Sequence, residues 1–496
     1  MSRVASSLVG ALLAPDPGSH EALHRQIYSK LRAAILSGRI GPGAQIPSSR
    51  ELARELCVGR NTVLNAVEQL TTEGYLQGEQ GSGTFVTHTW PEETTQVRRA
   101  TVAPRSPPRK LPPLSLRARE LTYMTGLLPP SGNLRPFLPC VPAVDRFPFE
   151  LWGKLVQKQW RRHPGHLLGL GEPAGHLPLR RVVAEYLANA RAVDCDPEQV
   201  IIVSGAQQAL DLVSRVLIEP GDAVWIEEPG YQGVRATLSF AGAKIVPVPV
   251  DEEGLNVQAG IKSAADARMV YVTPSHQFPL GHTMSLARRL ELLAWVRKTH
   301  AWILEDDYDS EYRYTSRPIP ALQGLAKHDQ VLYVGTLSKV LYPSLRLGYL
   351  VVPRGLAEAF ATARTIAAGS PSLVDQAVLA EFIADGHFGR HLRRMRALYL
   401  ERREVLLESA HKELRGLLEI HAADAGLHAV GWPTAEIDDG LVVQRSAAVG
   451  IDVMPLSSLY AGRARRHGLV LGFAAFNNED LRAGMAKLRQ ILLGLS

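Results

Sequence analysis

Apolar residues recur at helical spacing near the start of the chain, where Leu23, Ile27, Leu31 and Ile35 share one face. Gly38 stops that run. Pro47-Ser48-Ser49-Arg50-Glu51-Leu52-Ala53 is a start signal, a serine ahead of a short helix that ends near Cys57. After a tight turn at Val58-Gly59, the stretch Asn61 to Glu73 predicts a third helix with Val63, Val67 and Leu70 turned inward. Tyr75-Leu76-Gln77 and Thr84-Phe85-Val86 predict two short strands around the tip Gly81-Ser82-Gly83. Helix, helix-turn-helix and hairpin together make a winged helix-turn-helix over residues 20–88, after an extension at 1–19.

Periodicity then fades. Residues 89–135 hold many prolines and eight Lys or Arg against three Glu, the composition of an extended, solvated tether. Arg98, Arg99, Arg105, Arg109 and Lys110 offer a second reading as contacts to DNA phosphates. From 136 onward, strand-like apolar runs alternate with helical ones: 200–203, 223–226, 244–250, 269–272, 302–304, 331–334 and 349–352. Continuous runs of this kind suit an α/β domain whose largely parallel sheet is covered on both faces. From about 371 the chain predicts long amphipathic helices, strands near 427–430 and 469–473, and a final helix, which reads as a smaller α+β lobe.

Bulk properties narrow the picture only modestly. A length of 496 residues asks for more than one domain, and 46% hydrophobic with 21% charged residues is a globular balance. A net charge of +6 permits a nucleic-acid partner without demanding one. Three cysteines with no Cys-x-x-Cys pair argue against a disulfide framework and a structural zinc site. No stretch reads as a signal peptide or a transmembrane helix, so a cytoplasmic protein with no membrane partner is expected.

Ligands of open α/β sheets sit at the carboxyl ends of the strands, so the residues just past each strand are informative. After Val203 comes a glycine turn, Gly205-Ala206-Gln207, which opens a helix and offers free N–H groups to an anion. Tyr231 brings an aromatic ring, and Thr273 to Gly281 is a polar loop containing His276 and Gln277. In Glu305-Asp306-Asp307-Tyr308-Asp309, Asp306 and Tyr308 point to one face of an extended backbone, although such a run is more often a solvated loop. Lys339 directly follows an apolar strand, beside Thr336, Ser338 and Arg346. Partly desolvated there, it could form a Schiff base with an aldehyde. Singly each feature has an ordinary packing explanation; in order, the set does not.

That ordered set resembles the fold-type-I pyridoxal-phosphate enzymes of the aspartate aminotransferase family, over residues 136 to 496. The resemblance implies that Lys339 holds the cofactor as a Schiff base, Asp306 pairs its pyridinium nitrogen, Tyr308 meets its phenolate oxygen and Tyr231 stacks on its ring. Gly205, Ala206, Thr336 and Arg346 match phosphate positions, with Gln207 beside them. His276 or Gln277 stands where the family usually carries an asparagine, with Phe278 directly before Pro279-Leu280-Gly281.

The N-terminal unit resembles the winged helix of GntR-type regulators, which implies DNA contacts from Ser49, Arg50, Arg60, Asn61, Thr62, Gly81 and Gly83. The two together resemble MocR-family regulators. This implies a head-to-tail homodimer on double-stranded operator DNA, signalled by pyridoxal phosphate or an amino compound, controlling genes of amino-acid or vitamin B6 metabolism. Two departures stand out. The strand at Leu469-Val470-Leu471-Gly472-Phe473 has no arginine for a substrate carboxylate, although Arg463, Arg465 and Arg466 lie upstream; and Gly233, near Arg235, stands where some members carry arginine. A regulator with at most a residual transaminase half-reaction is therefore expected. The alternatives are a working aminotransferase with a DNA-binding domain, and a DNA-binding protein whose large domain only dimerises.

Overall fold

The computed structural model describes residues 12–16, 19, 21–79, 82–88, 113, 115, 118–119 and 134–495, the last apart from 163, 315–318, 327, 370 and 422–423. Gly81 and the basic linker residues Arg98, Arg99, Arg105, Arg109 and Lys110 lie outside the described residues. The chain divides into two compact units, Met1–Pro112 and Pro113–Ser496.

In the first unit the order is α1 (Leu23–Leu36), β1 (Gln45–Ile46), α2 (Ser49–Glu55), α3 (Arg60–Thr72), β2 (Leu76–Glu79) and β3 (Gly83–Val86). The strands form an antiparallel sheet in the order β1-β3-β2. Ile27, Leu31 and Ile35 of α1 close over Leu52 of α2, and over Val63 and Leu70 of α3, in one core. The third inward residue of α3 is Ala66, with Val67 only partly buried beside it. Helix α2 begins with a capping box: Ser48 Oγ accepts from Glu51 N–H at 3.3 Å, and the Glu51 carboxylate accepts from Ser48 N–H at 2.9 Å. Gly59 is the N-cap residue of α3 and sets Arg60 at its first turn.

The second unit is built on an eight-stranded sheet. Its strands are β4 (Val200–Val203), β5 (Ala223–Glu228), β6 (Lys244–Asp251), β7 (Gly254–Leu255), β8 (Met269–Val272), β9 (Trp302–Asp307), β10 (Val331–Thr336) and β11 (Gly348–Val351), in the order β4-β11-β10-β9-β8-β5-β6-β7. The five strands from β10 to β6 run parallel, while β11 is antiparallel to both its neighbours and β7 to β6. Alternate residues feed opposite faces. Val200 and Ile202 pack in the cluster that contains Trp152 of α4 (Phe149–Arg162) and Val183 and Leu187 of α5 (Leu177–Arg191), and Ile201 and Val203 in the one that contains Leu210 and Val213 of α6 (Ala206–Leu217). Both faces are thus covered, which is why the strands read as unbroken apolar runs.

The smaller lobe carries β12 (Leu418–His421), β13 (His428–Pro433), β14 (Met454–Pro455) and β15 (Leu469–Gly472) in the antiparallel order β12-β13-β15-β14. No helix among the described residues is long and apolar enough to cross a membrane, and no described cluster could hold a metal ion.

The capping box gives the first unit a direct test. Ser48→Ala is expected to cost about 1 kcal/mol by leaving the Glu51 N–H without its hydroxyl acceptor, while Ser49→Ala, already inside the helix, should stay within about 0.5 kcal/mol of the parent. Denaturant midpoints followed on the first unit's transition would separate the two; equal midpoints would mean the cap contributes nothing.

Candidate functional site

Strand β9 ends in an acidic run that is buried rather than solvated. Glu305, Asp306, Asp307 and Asp309 are at most 6% exposed. Glu305 accepts from the backbone N–H groups of Leu322 and Gln323, each at 2.8 Å. Asp307 pairs with Arg191 of α5 at 2.7 Å and accepts from Tyr333 Oη at 2.5 Å. On the other side of the strand, Asp306 Oδ2 accepts from Tyr271 Oη at 2.8 Å, and Oδ1 is buried with no hydrogen-bond partner. Burial pushes the Asp306 carboxyl up to about 7, against the opposing pull of Tyr271 and the Lys339 charge.

Lys339 lies in the turn after β10, half-buried, and its Nζ donates to the Cys140 carbonyl at 2.8 Å. Tyr308 Oη lies 2.9 Å from His276 Nδ1, which also faces Asp309 Oδ1 at 2.9 Å. Gln277 takes a different part: its amide donates to the Pro229 and Phe278 carbonyls at 2.9 and 2.6 Å and accepts from Leu280 N–H at 3.0 Å. It fixes the loop and is not brought to Tyr308. Of the two residues that sequence left open, His276 is the one at the phenol.

The glycine turn after β4 lies near Arg346. Gly205, at φ +103°, is the N-cap of α6, whose first residues are Ala206 and Gln207. A methyl group at Gly205 would stand 4.0 Å from the Arg346 guanidinium, so the turn and Arg346 face each other. Thr336 and Ser338 are buried, and Ser338 N–H donates to Thr336 Oγ1 at 3.3 Å. Ser338, which sequence marked only as a flank of the lysine, therefore belongs to the same turn. Its signal was the hydroxyl next to Lys339.

Tyr231 donates to Gln207 Oε1 at 3.2 Å and packs edge-on against Phe278, ring centres 6.2 Å apart. A Cβ at Gly233 would fall 2.3 Å from the Tyr231 ring, so no side chain fits there while the ring holds its place. Arg235 is turned to the Tyr460 carbonyl at 2.6 Å, and Arg466 stacks over Trp432 at 3.7 Å. Strand β15 is wholly buried and apolar.

In the first unit, Arg50 near the start of α2 and Arg60 and Asn61 at the start of α3 are exposed; Ser49 and Thr62 are partly so, and Gly83 is exposed where β3 begins. These residues form the end of one helix pair and the tip of a hairpin, the arrangement by which a winged helix presents side chains to a duplex.

Comparison with known proteins matches both units. Residues 146–430 match the family described as aminotransferase class I and II, and residues 23–86 match bacterial regulatory proteins of the gntR family. The protein named "Probable rhizopine catabolism regulatory protein MocR" from Rhizobium meliloti is 39% identical over 98% of this chain and 96% of its own length. The pyridoxine biosynthesis transcriptional regulator PdxR of Corynebacterium glutamicum is 31% identical over 96% of this chain and 97% of its own. Among solved structures, the multiple substrate aminotransferase of Thermococcus profundus is 25% identical with a TM-score of 0.69, covering 77% of this chain and 97% of that one. The α-aminoadipate aminotransferase LysN of Thermus thermophilus, solved with N-(5'-phosphopyridoxyl)-L-leucine, is 26% identical with a TM-score of 0.68, covering 77% and 95%.

The raised Asp306 carboxyl sets a pH signature for the protein stripped of small molecules. An unfolded aspartate loses its proton near ~4, whereas folded Asp306 keeps its own to about 7. Between those values the folded chain binds more protons, so stability falls as pH rises through the window and levels off above it. Asp306→Asn removes that share of the slope, and Glu227, also pushed up to about 7 by burial, keeps its own. Urea midpoints should show the variant gaining on the parent from about pH 4 to 7. A parallel pair of curves would mean that Asp306 is already ionised at the low end.

Proposed function

The chain belongs to the MocR family of transcription regulators, and on that footing we propose that it binds operator DNA through its winged helix and senses pyridoxal phosphate, or an amino compound reacting with it, at Lys339. Pyridoxal 5'-phosphate is the cofactor of the large unit. The residues present fit it. Asp306 keeps one buried oxygen with no partner, the group that a pyridinium N–H would satisfy. The Gly205 turn at the start of α6, with Arg346, Thr336 and Ser338, offers N–H, hydroxyl and guanidinium donors to a phosphate. When bound, the cofactor supplies an aldehyde that condenses with an amine and a ring that withdraws electrons from it.

The chain's own residues do the rest. Asp306 would hold the ring charge, Tyr231 would stack on the ring, and Tyr308 would meet its phenol oxygen. Lys339 is held past the carboxyl end of β10 by the Cys140 carbonyl, where its nitrogen is partly shielded from water. The observation that carries the reading is this pairing of a half-buried lysine with a buried carboxyl left half-satisfied. The absence of any arginine on β15, and of room for one at Gly233, favours sensing over steady turnover of α-amino acids. In this reading the protein is a cytoplasmic head-to-tail homodimer that controls genes of amino-acid or vitamin B6 metabolism; the relatives' names speak of rhizopine catabolism and pyridoxine biosynthesis.

Absorption spectra with borohydride reduction and peptide mapping test the sensor. The parent should carry a reduced cofactor adduct on Lys339, and Lys339→Ala should carry none while still binding DNA. A response to added amines that survives in Lys339→Ala would overturn the reading. On the DNA side, Arg60→Ala should weaken binding at every sequence tested and reduce the slope of log affinity against log salt by about one if Arg60 sits on phosphate. A change confined to one base position would instead place Arg60 on a base edge.

A further inference from the structure

Behind Tyr308 lies a buried polar pair that the proposed function leaves unused. His276, 2% exposed, places Nδ1 2.9 Å from Asp309 Oδ1 and 2.9 Å from Tyr308 Oη, and Asp309 is fully buried. One ring nitrogen between two oxygens constrains where the protons sit. His276 Nε2 is buried with no hydrogen-bond partner. A hydrogen placed there would be an orphaned donor, and it would leave a bare Nδ1 lone pair facing a carboxyl group. The hydrogen therefore belongs on Nδ1, shared between Asp309 and the Tyr308 oxygen.

The phenol is oriented as a result. A hydroxyl offers one hydrogen and accepts through its lone pairs. If its oxygen accepts from His276, its own hydrogen is free to point elsewhere. Without the imidazole, the nearest strong acceptor is Asp309, whose Oδ2 has no partner. The phenol would turn to that carboxyl and be lost to the pocket. Asp309 is close enough to Tyr308 to reinforce burial in pushing the phenol well above its ordinary range.

The surroundings hold the pair in register. A Cβ at Gly426 would fall 2.0 Å from His276 Cε1 and 2.8 Å from Asp309 Oδ2, so bare backbone packs directly against both. His428, its ring centre 5.3 Å from that of His276, lies 3.0 Å through Nε2 from the Pro279 carbonyl, and burial lowers it to about 4, which keeps it neutral.

We infer that Asp309 and His276 are a positioning pair for Tyr308: they occupy the phenol oxygen from behind and reserve its hydrogen for the cofactor's phenolate oxygen. The inference rests on reading the Lys339 pocket as a pyridoxal-phosphate site. A hydrogen donated to that oxygen favours the phenolate form of the bound ring, so the pair's effect is read in the colour of the protein, not only in how tightly it binds.

The test compares the full-length parent with His276→Phe, Asp309→Asn, Tyr308→Phe and the double variant His276→Phe/Tyr308→Phe, each titrated with pyridoxal phosphate. His276→Phe should bind the cofactor about tenfold more weakly and move absorbance from the phenolate band to the neutral-phenol band, in the same sense as Tyr308→Phe. Asp309→Asn, which preserves shape, should do the same to a smaller degree, about threefold, and carries the test if His276→Phe does not fold. Because His276 acts through Tyr308, the double variant should lie within about twofold of Tyr308→Phe alone. Band ratios unchanged from the parent, or effects that multiply in the double variant, would overturn the inference. A parent that binds no pyridoxal phosphate would instead overturn the underlying reading of the pocket.

Discussion

Four carboxyl groups within five consecutive residues are buried at the end of β9, and much of the large unit is organised around satisfying them. A buried carboxylate is tolerated only when hydrogen-bonded or paired, and removing one partner of a buried ion pair costs about 3–5 kcal/mol. The partners come from several directions: Arg191 from α5, Tyr333 from β10, Tyr271 from β8, His276 from the loop after β8, and the Leu322 and Gln323 amides from the segment before β10. Each bond ties a neighbouring element to one strand end. On one side of the strand Glu305 is bonded through both oxygens and Asp307 through Oδ2, while Asp307 Oδ1, like Asp309 Oδ2, meets no donor. On the other, Asp306 also keeps one oxygen without a donor, and its side of the strand is where Lys339, Tyr308 and Tyr231 gather.

The sequence pattern was most legible where burial is symmetrical. Runs such as Val200-Ile201-Ile202-Val203 and Met269-Val270-Tyr271-Val272 announce strands because both faces need apolar residues. Direction is another matter: Tyr349 to Val351 looks like its parallel neighbours, yet β11 runs antiparallel between β10 and β4, and nothing in an apolar run encodes its sense. Two-residue strands such as β1, β7 and β14 are too short to show a period at all. In α3 the sequence favoured Val67 as a core residue for its size, whereas the packed face follows Val63, Ala66 and Leu70.

The site divides in the same way. The Asp306 and Tyr308 pair was readable from its two-residue spacing, although Tyr308 itself lies one residue past the end of β9. That Glu305, Asp307 and Asp309 are buried with them was not, since an acidic run is solvated unless the fold brings donors to it. The choice between His276 and Gln277 was also closed to the sequence: both are polar, adjacent and able to bond an oxygen. The structure separates them: the Gln277 amide donates to the Glu227 carboxylate and to the Pro229 and Phe278 carbonyls and accepts from Leu280 N–H, while His276 faces the phenol. Gly233 looked like a missing arginine. The structure gives it a positive reason, the Tyr231 ring lying where its side chain would begin.

The Lys339 nitrogen also has a place in the wider architecture. Its hydrogen bond reaches Cys140, which adopts a left-handed φ of +60° in the described segment that begins at residue 134. A non-glycine residue holds such a conformation only when its surroundings fix it. Nearby, Phe137 bridges to Gly472 at the end of β15, and a Cβ at Gly472 would fall 2.1 Å from the Leu138 carbonyl, so this segment is clamped against the smaller lobe as well. An amine that condenses with an aldehyde no longer offers the hydrogens of an ammonium group. Any reaction that consumes the lysine must therefore release or remake its bond to Cys140, and a ligand alters a protein's balance of states only through such differences in what each state can bond.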